Sequence, residues 1–252
     1  MVIWKDKFRA AGIHLGLSLG VAALAAALVF GLWYRYPYRE ISGGRELFML
    51  VIAVDVVMGP LLTLVVFNRA KSCREKLLDF SLIGTLQLAA LAYGLWTVAQ
   101  ARPVHLVFAY DRFAVAHAAD VLPESLPKAP PTLRQLPWTG PTTISLRPLA
   151  GQEVFDVTMA ELAGAPAATR PELWQSYDAG RDAVRKAAKP AEELAQRFPT
   201  RSAEIARVLQ GTGRAAPALA YVPLAARKEQ FWTVIIDRQS ADVLAFLPLD
   251  SF

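Results

Sequence analysis

The chain has 252 residues, 54% of them hydrophobic, a formal net charge of +5 and a mean hydropathy of +0.30. Soluble proteins are about 45–50% apolar; here the excess sits in the first hundred residues, and the remainder is rich in Ala, Pro and Arg. The basic residues form no stripe, which argues against a nucleic-acid partner, and the lone cysteine, Cys73, excludes an internal disulfide framework.

Three apolar runs come first: Ala11 to Tyr34, Leu47 to Phe67 and Leu77 to Ala99. A hydrocarbon core of ~30 Å needs ~20 helical residues at ~1.5 Å rise each, so each run predicts a transmembrane helix. The first is too long for a signal-peptide core, and Trp33 and Tyr34 stand where a small-residue cleavage site would be. It therefore reads as a retained span. Lys5, Lys7 and Arg9 precede it, and Arg69, Lys71, Arg74 and Lys76 lie between runs two and three. The first loop holds only Arg35, Arg39 and Arg45. The side richer in Lys and Arg faces the cytoplasm. That places the N-terminus inside and everything after Arg102 outside. Trp33, Tyr34, Tyr36, Tyr38 and Trp96 fall where helices leave the membrane and predict an interfacial aromatic belt.

The second run, VIAVDVVMGPLLTLVVFN, carries Asp55 about 12 Å deep by helical rise. A carboxyl group at that depth marks a functional or helix-packing position. Four residues on, Gly59 allows close helix approach and Pro60 predicts a kink. On the third run Tyr93 lies at matching depth, where its phenol could donate to Asp55; Gln87 lies nearer the midplane. Two readings stand: these side chains hold the bundle together, or Asp55 faces a partner's helix. An intramembrane aspartyl enzyme would need a second carboxylate beside Asp55. Asp79 is ~18 Å away by rise.

After Arg102 and Pro103 the sequence VHLVFAYDRFAVAHAADV predicts a strand, a turn at Tyr110 to Arg112 and a second strand. Pro123, Pro127, Pro130, Pro131, Pro137, Pro141 and Pro148 predict an extended or polyproline stretch, either a recognition strap or a loop wrapped on the domain. Arg181, Arg185, Lys186 and Lys189 form a basic face, read as solvated helix surface or as contact for an acidic partner. Residues 190–210 predict amphipathic helices broken near Pro199. Phe231 to Ile236, a turn, and Asp242 to Leu247 predict a closing hairpin, sharing one sheet with the first hairpin. The fold class is a membrane protein: three N-terminal transmembrane α-helices (domain 1–102) plus a C-terminal periplasmic α+β domain (103–252).

Catalytic signatures are missing: no phosphate loop, no nucleophile elbow, no HExxH. His14, at the inner end of the first run, and His105 and His117 on the first hairpin have no metal-site spacing. The reading is therefore non-enzymatic, with no metal and no cofactor.

Several stretches together resemble the type IV pilin accessory protein family (TfpX/TfpZ). They are KFRAAGIHLGLSL, LVFGLWYRYPY, GGRELFMLVIAVDVVMGPLLTLVVFN, LLDFSLIGTLQLAALAYGLWTVAQARPVHLVFAYDRF and YVPLAARKEQFWTVIIDRQSADVLAFLPLD. The combination of Asp55, Gly59 and Pro60 with Gln87, Tyr93 and Arg102-Pro103 is the specific part. Family members tend to have glycine where Ala241 stands, and an aromatic after a proline where this chain ends in Ser251-Phe252. The resemblance implies an inner-membrane pilus-assembly chaperone. Its partners would be membrane lipids and a cognate type IV pilin, met through the pilin's transmembrane helix and globular head. Asp55, Gly59, Pro60, Gln87 and Tyr93 become candidate partner-binding residues. The alternative is a membrane-tethered periplasmic binding or sensor protein for a non-pilin partner.

Overall fold

Leu- and Ala-rich stretches propagate as helix until a breaker or an unsatisfied end stops them. In the computed structural model, which describes residues 2–68, 70–226 and 231–252, α1 runs Val2–Leu28 and continues as a π-helical turn, Val29–Trp33. Two elements follow, the short α2 (Tyr38–Ile41) and the long α3 (Gly44–Val66). The next helix, α4 (Cys73–Gln100), starts at a reciprocal cap: Ser72 Oγ accepts from the Glu75 amide and the Glu75 carboxylate accepts from the Ser72 amide. Among the described residues three helices are long and apolar enough to cross a membrane, at 4–33, 44–66 and 73–100. This is a multi-pass membrane protein. Arg69 and residues 227–230, which the sequence reading used, lie outside the described residues.

The chain divides into two compact units, 1–101 and 102–252. In the second, β1 (Pro103–Ala109), β2 (Arg112–His117), β3 (Thr142–Leu146) and β4 (Trp174–Ser176) join β6 (Leu219–Ala225), β7 (Phe231–Asp237) and β8 (Val243–Leu247). Their order is β4-β3-β1-β2-β6-β7-β8, and β5 (Lys189–Pro190) pairs with β6. The sheet is mixed: β1–β3 and β2–β6 are parallel, and the hairpins are antiparallel. Both expected hairpins form and share this sheet. Around it lie α5 (Gln152–Leu162), α6 (Tyr177–Ala187), α7 (Glu192–Arg197) and α8 (Ser202–Gly211). A turn at Pro199–Arg201 separates α7 from α8, where the sequence placed the break.

Three expectations are corrected. The prolines after Val121 start 3₁₀ turns, Pro123–Lys128 and Pro131–Leu133, rather than polyproline. Proline's fixed φ suits a first helical position, where its missing N–H costs nothing. Those turns pack Ala129, Leu126 and Leu133 onto the core of Val104, Ile144 and Trp174, so the stretch is wrapped on the unit. Tyr34 is not part of an aromatic belt. It is fully buried, its ring fills the space above Gly44, and its hydroxyl donates to the Val98 carbonyl at 3.2 Å. The basic residues of α6 do not all face solvent: Arg181 donates to the Ser240 carbonyl and the Asp242 carboxylate, and Arg185 donates to the Gln239 carbonyl and Asp182. They bind the β7–β8 turn. Ala241 in that turn has φ +61, a region that favours glycine. His105 lies in the interior. Nearly all of β1 is buried, and the His105 ring stands edge-on to Trp174 at 4.8 Å.

Candidate functional site

A polar side chain in hydrocarbon must find a partner inside the protein. The membrane helices place four such groups together. On α3, Asp55, Gly59 and Thr63 recur every four residues and are all buried, so they share one inward face. From α1, His14 reaches Thr63 Oγ1 through Nδ1 at 2.5 Å and Gln87 Oε1 through Nε2 at 2.6 Å. From α4, Gln87 Nε2 donates to the Asp55 carbonyl at 3.0 Å and to its carboxylate at 3.2 Å. The amide's NH2 is committed to Asp55, so its oxygen accepts and His14 Nε2 is the donor. In the neutral ring Nδ1 then accepts from the Thr63 hydroxyl. One network ties all three helices.

Space is what permits it. A Cβ on Gly59 would lie 2.1 Å from Gln87 Nε2. Glycine there serves the chain's own α4, whose Gln87 fills the cleft. A second close approach is at Gly94, where a Cβ would come within 2.6 Å of Val51.

The five sequence candidates thus separate. Asp55, Gly59 and Gln87 meet in the interior. Pro60 lies inside an uninterrupted helix beside them. Tyr93 is elsewhere: it is 69% exposed, its ring lies against Trp96, and it makes no bond to Asp55. The matching of depths set Tyr93 opposite Asp55, but rotation about the α4 axis turns it outward. His14 was the residue sequence reasoning missed. His14 stands at the inner end of the apolar run, about 15 Å past Trp4 along the helix, and its packing against α3 and α4 is what the sequence did not show. The signal was a titratable ring within an apolar run. Asp79 pairs with Lys71 at 2.7 Å, while the Asp55 carboxylate is met by Gln87. Among the described residues no cluster of His, Cys, Asp and Glu could hold a metal ion.

In the second unit the β1–β2 turn carries Asp111 and Arg112, joined by a two-pronged ion pair at 2.8 and 3.0 Å that holds the Asp111 carboxyl below its usual range. The Arg112 guanidinium lies 5.1 Å from the Phe252 ring, and Phe252 meets Phe231 edge-on. Arg102 donates to the Pro137 carbonyl and stacks over Trp138 at 4.0 Å, pinning the proline-rich turns. The His105 Nδ1 pairs with Thr142 at 2.8 Å, its Nε2 is buried without a partner, and burial lowers its pKa to about 4.

Three membrane-length helices locked by a buried polar network, followed by a mixed-sheet unit, define a class: multi-pass proteins with one folded C-terminal body. A family model described as fimbrial assembly protein FimB matches residues 2–43. A fimbrial assembly protein of serogroup I from Dichelobacter nodosus is 37% identical over 96% of this chain and 94% of its own length. The serogroup E1 protein of the same organism is 35% identical over the same shares. A third, of serogroups C1 and C2, is 46% identical over 47% of this chain and 90% of its own length. The chain belongs to the fimbrial assembly protein family, in keeping with the resemblance to type IV pilin accessory proteins. No solved structure matches it.

Proposed function

We propose that this chain is a non-catalytic accessory protein of pilus assembly that holds a cognate type IV pilin in the bacterial inner membrane. The observation that carries this reading is full-length similarity to fimbrial assembly proteins in a chain built as a membrane bundle plus a folded body. A pilin is itself a membrane helix bearing a globular head, so a chaperone needs both kinds of surface. The N-terminus lies in the cytoplasm and residues 103–252 form the periplasmic domain, an orientation supported by the Lys and Arg excess at 5–9 and 69–76.

Within the membrane Asp55, Gly59, Pro60 and Gln87 act on the pilin indirectly, by fixing the bundle through which it is met. Tyr93 belongs to the outward surface that a pilin helix can reach. So do Gly12, Gly16 and Gly20, spaced four apart on α1 with nothing within 4 Å of an added Cβ. Such spacing lets two membrane helices approach closely. Deleting the gene tests the reading. Surface pili made from the cognate pilin fall while an unrelated pilin is unaffected; equal loss of both, or of neither, refutes it.

A further inference from the structure

In the second unit a groove of about 1370 Å³ opens between the β1–β2 turn and α5. That exceeds the ~300–1,000 Å³ usual for small-molecule sites. Its lining sets exposed apolar side chains among charged ones. Of the α5 side chains only Val157 is buried. Phe155, Met159 and Leu162, spaced as one helical face, stand 57%, 43% and 77% exposed, and Leu162 lines the groove. Opposite stand Leu122, 61% exposed, and Tyr110. A stable helix in water normally hides such a face, and contiguous exposed apolar patches mark interaction sites.

Tyr110 supplies a separate observation. It occupies the tight β1–β2 turn with φ +65. Glycine or asparagine takes that conformation at less cost, and a bulky residue there is strained. Strain kept at one position points to a use for its side chain, and the Tyr110 ring lines the groove.

Charge selects the occupant. Glu124, Asp156 and Glu161 line the groove and make no ion pair among the described residues, although the chain as a whole carries +5. The groove's arginines are engaged, Arg112 with Asp111 and Arg170 with Glu172, so Lys128 is the lining cation set against these three carboxylates. Acidic groups beside an apolar face repel anionic lipid headgroups and attract Lys and Arg.

We propose that this groove seats a segment of the pilin's globular head that presents apolar side chains flanked by Lys or Arg. The assignment rests on the pilin reading above and adds where and by what chemistry the head is held. Tyr110, Leu122 and Leu162 are its anchors, and Glu124, Asp156 and Glu161 read its charge.

The test is a photo-crosslinking amino acid placed at 122 or 162 of the full-length protein, in cells producing the cognate major pilin. Leu19 on α1 and Arg207 on α8 are the reference positions, both exposed. The expected result is a pilin adduct at 122 and 162, none at 207, and a yield reduced about tenfold by Asp156→Lys with Glu161→Lys. These are surface changes that leave folding intact. Adducts at 19 or 207 with none at 122 and 162 overturn the groove while leaving the pilin reading standing. No pilin adduct at any position sinks both. Adducts to a second copy of this chain or to lipid at 122 and 162, or a yield unmoved by charge reversal, overturn the proposal.

Discussion

Gly59→Ala is the sharpest probe of the membrane network. The new methyl lands 2.1 Å from Gln87 Nε2, far inside contact distance, so Gln87 must swing away. That movement breaks its two bonds to Asp55 and the one it accepts from His14. Interhelical hydrogen bonds in membranes average about 0.6 kcal/mol each, so the three lost together cost about 2 kcal/mol. Residual crowding adds about 1 kcal/mol where the helices cannot separate. The expected destabilisation is therefore about 2–3 kcal/mol, read from SDS titration of the full-length protein in mixed micelles and followed by helical circular dichroism. A cycle isolates the cause. In a Gln87→Ala background the cleft is empty, the bonds are already gone, and Gly59→Ala becomes nearly neutral, so the coupling energy is of the same size as the single effect. Equal costs in both backgrounds would falsify the claim that glycine serves Gln87.

Other outcomes follow from the same geometry. His105 titrates at about 4 when folded, because burial disfavours its cation, and near 6.5 when unfolded. Between those values the unfolded chain binds more protons, so stability falls as pH drops from 6.5 to 4, by about 3 kcal/mol. His105→Phe removes that slope from pH-dependent melts followed by Trp174 fluorescence; an unchanged slope contradicts the assignment. Arg181→Ala frees the β7–β8 turn from α6 by deleting its bonds to Ser240 and Asp242, and costs about 1–2 kcal/mol of thermal stability. Gly16→Leu fills the open face of α1 and lowers pilin co-purification about tenfold with no change in the SDS midpoint; full retention of pilin argues against helix docking there. A tag after Phe252 is cleaved by protease added to spheroplasts, and protection would reverse the proposed orientation.

The spans, both hairpins and the broken helix pair were written in local pattern. Length and apolarity alone decide whether a helix can cross a bilayer, and alternation with turn residues decides a hairpin. Asp55, Gly59 and Gln87 were visible for the same reason: polar or small residues are conspicuous in apolar runs. What they touch was decided by the tertiary fold. Depth along a helix follows from counting residues, but facing depends on rotation about its axis and on which neighbour packs there. That is why Gln87, not Tyr93, meets Asp55, and why His14 closes the network from a helix 41 residues earlier in sequence. The strands β3, β4 and β6 and the α5 face were likewise illegible beforehand. Their neighbours are distant in the chain, and a burial partner, or the lack of one, exists only once the sheet has assembled.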